Sequence, residues 1–170
     1  MTNQVLSTQV SAAAAAKAKG SPGLQAWVRL LRGHASARRR VNAQLHAEHG
    51  LTVNAYEALL LLSKADDGVM RRVDLAEELQ LTASGVTRLL DGLEEQNCVA
   101  KKSCSSDARV TYAALTDTGR KKLEKASSTH VAGIDALFEE RFTDQELETL
   151  VELLGRLPGA GGVTGTDCTP

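Results

Sequence analysis

The stretch TASGVTRLLDGLEEQ, residues 82–96, has the apolar spacing of a helix and yet contains two glycines. Each glycine in a helix interior costs about 1 kcal/mol relative to alanine. Val86, Leu89, Leu90 and Leu93 stand at i, i+3, i+4 and i+7, so they define an inward face. The opposite face, toward the N-terminus, presents Thr82, Ser84, Gly85, Thr87 and Arg88. An ordinary surface helix would carry Lys and Glu there. Short hydroxyls with one guanidinium suit the major groove of a duplex. Small side chains allow close approach, hydroxyls meet phosphates and base edges, and an Arg can take a guanine bidentately. Gly85 is expected to clear space for that approach, whereas Gly92 has no such assignment.

The flanking segments fit around this helix. Val73, Ala76 and Leu79 predict a short amphipathic helix, Gln80-Leu81 breaks it, and Thr82 caps the next one. Helix, tight turn and longer helix make a helix-turn-helix. Asn97–Lys102 then reads as a strand and Ser103–Arg109 as a polar loop. Val110–Leu115 alternates as a second strand, which completes a hairpin. Lys101, Lys102, Ser105, Ser106 and Arg109 on this hairpin are candidate contacts to phosphates or the minor groove. Val69–Arg72 is a further short candidate strand.

Long helices are expected on either side. Leu24, Val28, Leu31, Ala35, Arg38, Asn42 and Leu45 repeat at steps of four and three, a stripe usual at subunit seams, and Gly50 closes that helix. Thr52 or Asn54 caps a buried helix over Ala55–Leu62. Thr116 caps a long helix with Leu123, Ala126, His130, Ile134, Leu137 and Phe138 on one line. Thr143-Asp144-Gln145-Glu146 is a capping box that opens a last helix. The fold class expected is mainly α with a small β-hairpin wing. Residues 1–23 form a flexible basic arm, 24–50 and 116–156 a helical dimerisation region, 51–115 the winged helix-turn-helix lobe and 157–170 a disordered tail. Terminal helices that interleave would pair two copies so that both wings face one duplex.

Composition bounds the function. The chain has 170 residues, 42% hydrophobic and 24% charged, enough for one domain or two packed subdomains. Neither a membrane span nor a secretory signal is visible, and three cysteines do not form a disulfide framework, so a reducing cytoplasm is the default. Net charge is −1, but residues 1–47 carry seven basic and no acidic residues, while the rest carries 13 basic and 21 acidic. No nucleophile–base pair, phosphate-binding loop or paired inward carboxylates can be assembled, so enzymatic activity is not expected, nor is any cofactor.

From Leu51 to Arg120 the chain resembles the multiple-antibiotic-resistance-regulator (MarR) family of winged helix-turn-helix repressors. The resemblance is carried by ASGVTRLLDGLEEQNCVAKK, by Asp107-x-Arg109 and by Leu115-Thr116-x-x-Gly119-Arg120. It implies a homodimer that binds a short inverted repeat of double-stranded DNA and lets go when a small phenolic or anionic ligand enters. Ser84, Thr87 and Arg88 would then contact the groove, Arg109 would be the wing contact and Asp107 would orient the wing. Family wings commonly read Asp-Arg-Arg, and Ala108 here removes one cation.

The expected ligand pocket takes Trp27, His34 and Arg38 from the first helix and Tyr56 from the second, an aromatic wall with a cation. A urate-responsive branch of the family pairs that Trp with an Arg where this chain has Leu31, which argues against urate. His46 and His49 with Glu48 are a thin metal-ligand set, better read as histidines on a helix C-terminal dipole, and no metal site is expected. Cys98 and Cys104, roughly 20 Å apart at full extension, are too distant to bridge. Two alternatives remain at this stage: a winged-helix module that binds protein, and a cysteine-based redox-responsive regulator.

Overall fold

The computed structural model describes residues 20–103 and 111–159. Its elements run α1 (Pro22–His49), α2 (Val53–Lys64), β1 (Val69–Arg71), α3 (Arg72–Glu78), α4 (Ala83–Glu95), β2 (Val99–Ser103), β3 (Thr111–Leu115), α5 (Asp117–Glu139) and α6 (Asp144–Gly155). A short 3-10 turn over Asp66–Gly68 joins α2 to β1. The chain divides into two units, residues 1–40 and 41–170, with the boundary inside α1. Within the first unit α1 begins two residues earlier than its apolar stripe, at Pro22, where the missing N–H costs nothing.

The second unit holds the core. Leu45, Leu51, Tyr56, Leu59 and Leu62 pack with Leu75, Val86, Leu90 and Leu93, and with Ala113, Leu123 and Ala126. The starts of α2, α4 and α5 are each closed by a threonine side chain. Thr52 Oγ1 accepts the N–H of Ala55, Thr82 that of Gly85, and Thr116 that of Gly119. At α6 the Thr143 N–H donates to Glu146 Oε2, half of a capping box. These bonds satisfy N–H groups that the first helical turn leaves without partners.

The short β1 is the third strand of the sheet, which runs β1-β3-β2 and is antiparallel throughout. Val69 pairs with Ala114, and Val99 with Leu115. The strand leading into α3 is thereby tied to the returning strand of the hairpin. Both α3 and α4 end in one motif. Gln80 (φ 52°) and Asn97 (φ 56°) take the left-handed conformation. Leu81 N–H then reaches Ala76 O, and Cys98 N–H reaches Leu93 O, each at 2.8 Å.

Candidate nucleic-acid interface

Inward, α4 buries Val86, Leu90 and Leu93 to 1% exposure each. That burial fixes its rotation and leaves Thr82, Ser84 and Arg88 exposed, with Thr87 half-buried beside them. The hydroxyls are partly committed. Thr82 Oγ1 caps the helix and lies 3.2 Å from Ser84 Oγ. Thr87 Oγ1 donates to Ala83 O at 2.7 Å and accepts from Arg72 Nη1 at 3.4 Å. Thr87 therefore offers an outside partner a methyl group and remaining acceptor capacity, but not its proton. Arg88 Nε donates to its own helix at Ser84 O, 3.4 Å away, and the side chain is otherwise solvated.

Gly85 sits tightly against its own turn. It is half-buried, and a Cβ there would lie 3.2 Å from Thr82 Oγ1 and 3.6 Å from Leu81 Cβ. Its bare α-carbon leaves room for the cap and for Leu81 on the preceding turn. Gly92 has nothing within 4 Å of where a Cβ would stand, and nothing in the structure explains a glycine there.

The basic residues divide into two sets. Lys101 Nζ is bound by Asp91 Oδ1 and lies 3.0 Å from Glu94 Oε2, both on α4. These hydrogen bonds, Asp91 first, raise the Lys101 ammonium above its ordinary range, and that from Lys101 lowers Glu94. Arg71 is likewise paired with Asp74, at 2.6 Å, which holds the Asp74 carboxyl below the usual carboxylate range. Lys102 is exposed on β2, and Val73, at 63% exposure, stands at the start of α3. Ser105, Ser106 and Arg109 lie outside the described residues, as do Cys104, Asp107 and Ala108. Sequence reasoning missed the support of Thr87 by Arg72 and the capture of Lys101. The second had a signal, since Asp91 and Glu94 stand three apart on α4.

The four residues expected to line a ligand pocket have different surroundings. Trp27 (56% exposed) and His34 are on the surface of α1, and Arg38 is half-buried there. Tyr56 is in the core of the second unit. Its hydroxyl donates to Ser127 Oγ at 3.3 Å, and its ring centre is 4.4 Å from that of His130. His130 Nδ1 is buried without a hydrogen-bond partner among the described residues. Burial pushes its imidazole below the ordinary value, with Glu57 acting in the opposite direction.

His49 Nε2 lies 2.8 Å from Thr129 Oγ1, whose hydroxyl is also 3.3 Å from Glu48 Oε2. Among the described residues no three His, Cys, Asp or Glu side chains are grouped to hold a metal ion. The Cys98 thiol is buried and pushed up by that burial, which disfavours the reactive thiolate. No helix among the described residues is long and apolar enough to cross a membrane.

A helix-turn-helix tied to a three-stranded sheet, with long helices before and after it, defines a winged-helix transcription regulator. A family model described as MarR family matches residues 49–110. The HTH-type transcriptional repressor YetL of Bacillus subtilis (strain 168) is 32% identical over 111 residues, covering 65% of this chain and 66% of YetL. The crystal structure of AbsC, a MarR family transcriptional regulator from Streptomyces coelicolor, is 29% identical with a TM-score of 0.67. That match covers 77% of this chain and 88% of AbsC. CouR from Rhodococcus jostii RHA1, solved bound to p-coumaroyl-CoA, is 26% identical with a TM-score of 0.60, over 74% of this chain and 86% of CouR. The chain belongs to the MarR family of transcriptional regulators.

Proposed function

We propose that this chain is a homodimeric, non-enzymatic cytoplasmic repressor that binds an inverted repeat near its own gene and is released by a small phenolic or anionic ligand. The observation that carries the reading is the outward face of α4, where Thr82, Ser84 and Arg88 are exposed and Thr87 is half-buried with its proton already used. Those residues would enter the major groove, with Lys102, Ser105, Ser106 and Arg109 of the hairpin on the flanking backbone and minor groove. Repression is supported by the likeness to YetL, and small-molecule control by the likeness to CouR. Pairing of two copies is supported by the apolar surface of α1 and α6, where Leu24, Trp27, Leu31, Val151 and Leu153 are exposed. The 1–23 arm, the 24–50 and 116–156 dimerisation region, the 51–115 lobe and the 157–170 tail are kept as the working division of the chain.

Fluorescence anisotropy against duplex DNA from upstream of the gene, beside a shuffled duplex, tests the reading. Wild type should bind the first selectively, with affinity that falls as salt rises. Arg88→Ala should cost about 1–3 kcal/mol of that affinity, as expected for loss of a base-reading arginine. Binding that ignores sequence and Arg88 would instead favour a protein-interaction module.

A further inference from the structure

We propose that Lys101 does not contact phosphate but is a positioning residue, an internal counter-ion that keeps the acidic half of α4 compatible with DNA. The inference rests on the DNA-binding reading above. Asp91 follows Ser84, Thr87 and Arg88 at helical spacing, so a carboxylate continues the face that would enter the groove. Glu94 lies one turn further along. Left alone, two carboxylates there would repel the phosphate backbone and oppose the cation at Arg88.

Lys101 meets both of them. Its Nζ bonds Asp91 Oδ1 and Glu94 Oε2, and its backbone N–H approaches Glu94 Oε1 at 3.4 Å. The strand thus presents one ammonium and one amide to the same helix. Lys101 is 36% exposed, and Asp91 and Glu94 are 47% and 43% exposed, so the trio is at the surface, where DNA would approach. Two effects follow from one set of bonds. The negative charge of α4 is halved near the groove face, one ammonium against two carboxylates, and the stem of the hairpin is tied to the recognition helix. Lys102, the next residue, points to the other side of β2 and is the strand's candidate phosphate contact.

A mutant cycle on the full chain tests this by anisotropy against the upstream duplex that wild type binds, with a thermal melt of every variant. Lys101→Met should weaken binding about tenfold at low salt, because two carboxylates become uncompensated. Lys101→Arg should restore it. In the Asp91→Asn/Glu94→Gln background the same Lys101→Met change should have an effect of less than about twofold, since nothing remains to neutralise. A loss that is undiminished or larger in that background would overturn the proposal and make Lys101 a phosphate contact. A lowered melting temperature with unchanged affinity would also overturn it, because the ion pairs would then serve only the fold. Failure of wild type to bind any duplex would remove the DNA-binding reading itself, and the proposal with it.

Discussion

A methyl group on Gly119 would lie 2.1 Å from the carbonyl oxygen of Cys98 and 2.9 Å from Leu115 Cδ1. The nearest obstacle is backbone, which no rotamer change can relieve. Gly119→Ala should therefore destabilise the protein by about 3 kcal/mol, at the upper end of overpacking costs, and lower its melting temperature. Gly92 is the opposite case, with open space where the side chain would go. Gly92→Ala should stabilise α4 by about 1 kcal/mol through helix propensity alone. One thermal-melt series on both variants checks the contrast, and equal effects would contradict the packing argument. At this scale the sequence was a partial guide. Gly119 was visible only as part of a family-like motif, and the close fit of Gly85 against Thr82 and Leu81 depends on how the turn before it folds.

Among the elements, α3 and α4 end in the same left-handed motif but with different residues. Asn97 tolerates that conformation well, since a short polar side chain can bond locally. Gln80 has no such advantage and adopts φ 52° because Leu81 must reach Ala76 O to end α3. Gln80→Gly should raise stability by about 1 kcal/mol and the melting temperature by a few degrees. Calorimetry would show this, and a decrease would mean the glutamine side chain contributes something more than the turn.

The break at Gln80-Leu81 was legible because helical periodicity stops there. The caps at Thr52, Thr82 and Thr116 were legible because N-cap chemistry is local. The order helix, helix, hairpin was legible for the same reason, and the structure retains it. Pairings between distant segments were not. Lys101 looked like a solvated cation because its two acidic partners, seven and ten residues earlier, reach it only once the strand folds back along α4. The pairing of β1 with β3 joins segments more than 40 residues apart, and no short-range pattern specifies it.

At the scale of the whole molecule, most of the exposed large apolar side chains among the described residues belong to α1 and α6. No residue of α6 is buried, and Val151 is 73% exposed. If a second copy covers that surface, Val151→Asp should weaken self-association by at least about tenfold, because a charge would be buried without a partner. Sedimentation equilibrium reads the effect, and an unchanged association constant would place the subunit contact elsewhere. Within the second unit, the link from α4 to β2 meets the link from β3 to α5 at one carbonyl. Cys98 O accepts both the N–H and the hydroxyl of Thr116, each at 3.1 Å, and Gly119 sits directly against it. Cys98 N–H in turn bonds Leu93 O of α4, so the segment between α4 and β2 is tied on one side to α4 and on the other to the junction of β3 and α5. A displacement of α5 would act directly on the segment that links α4 to β2, through the Thr116 and Gly119 contacts to Cys98 O. If the proposed pairing and ligand release hold, control would act on the span between the two copies, and a ligand would disable DNA binding by changing that span rather than by reshaping the helix-turn-helix itself.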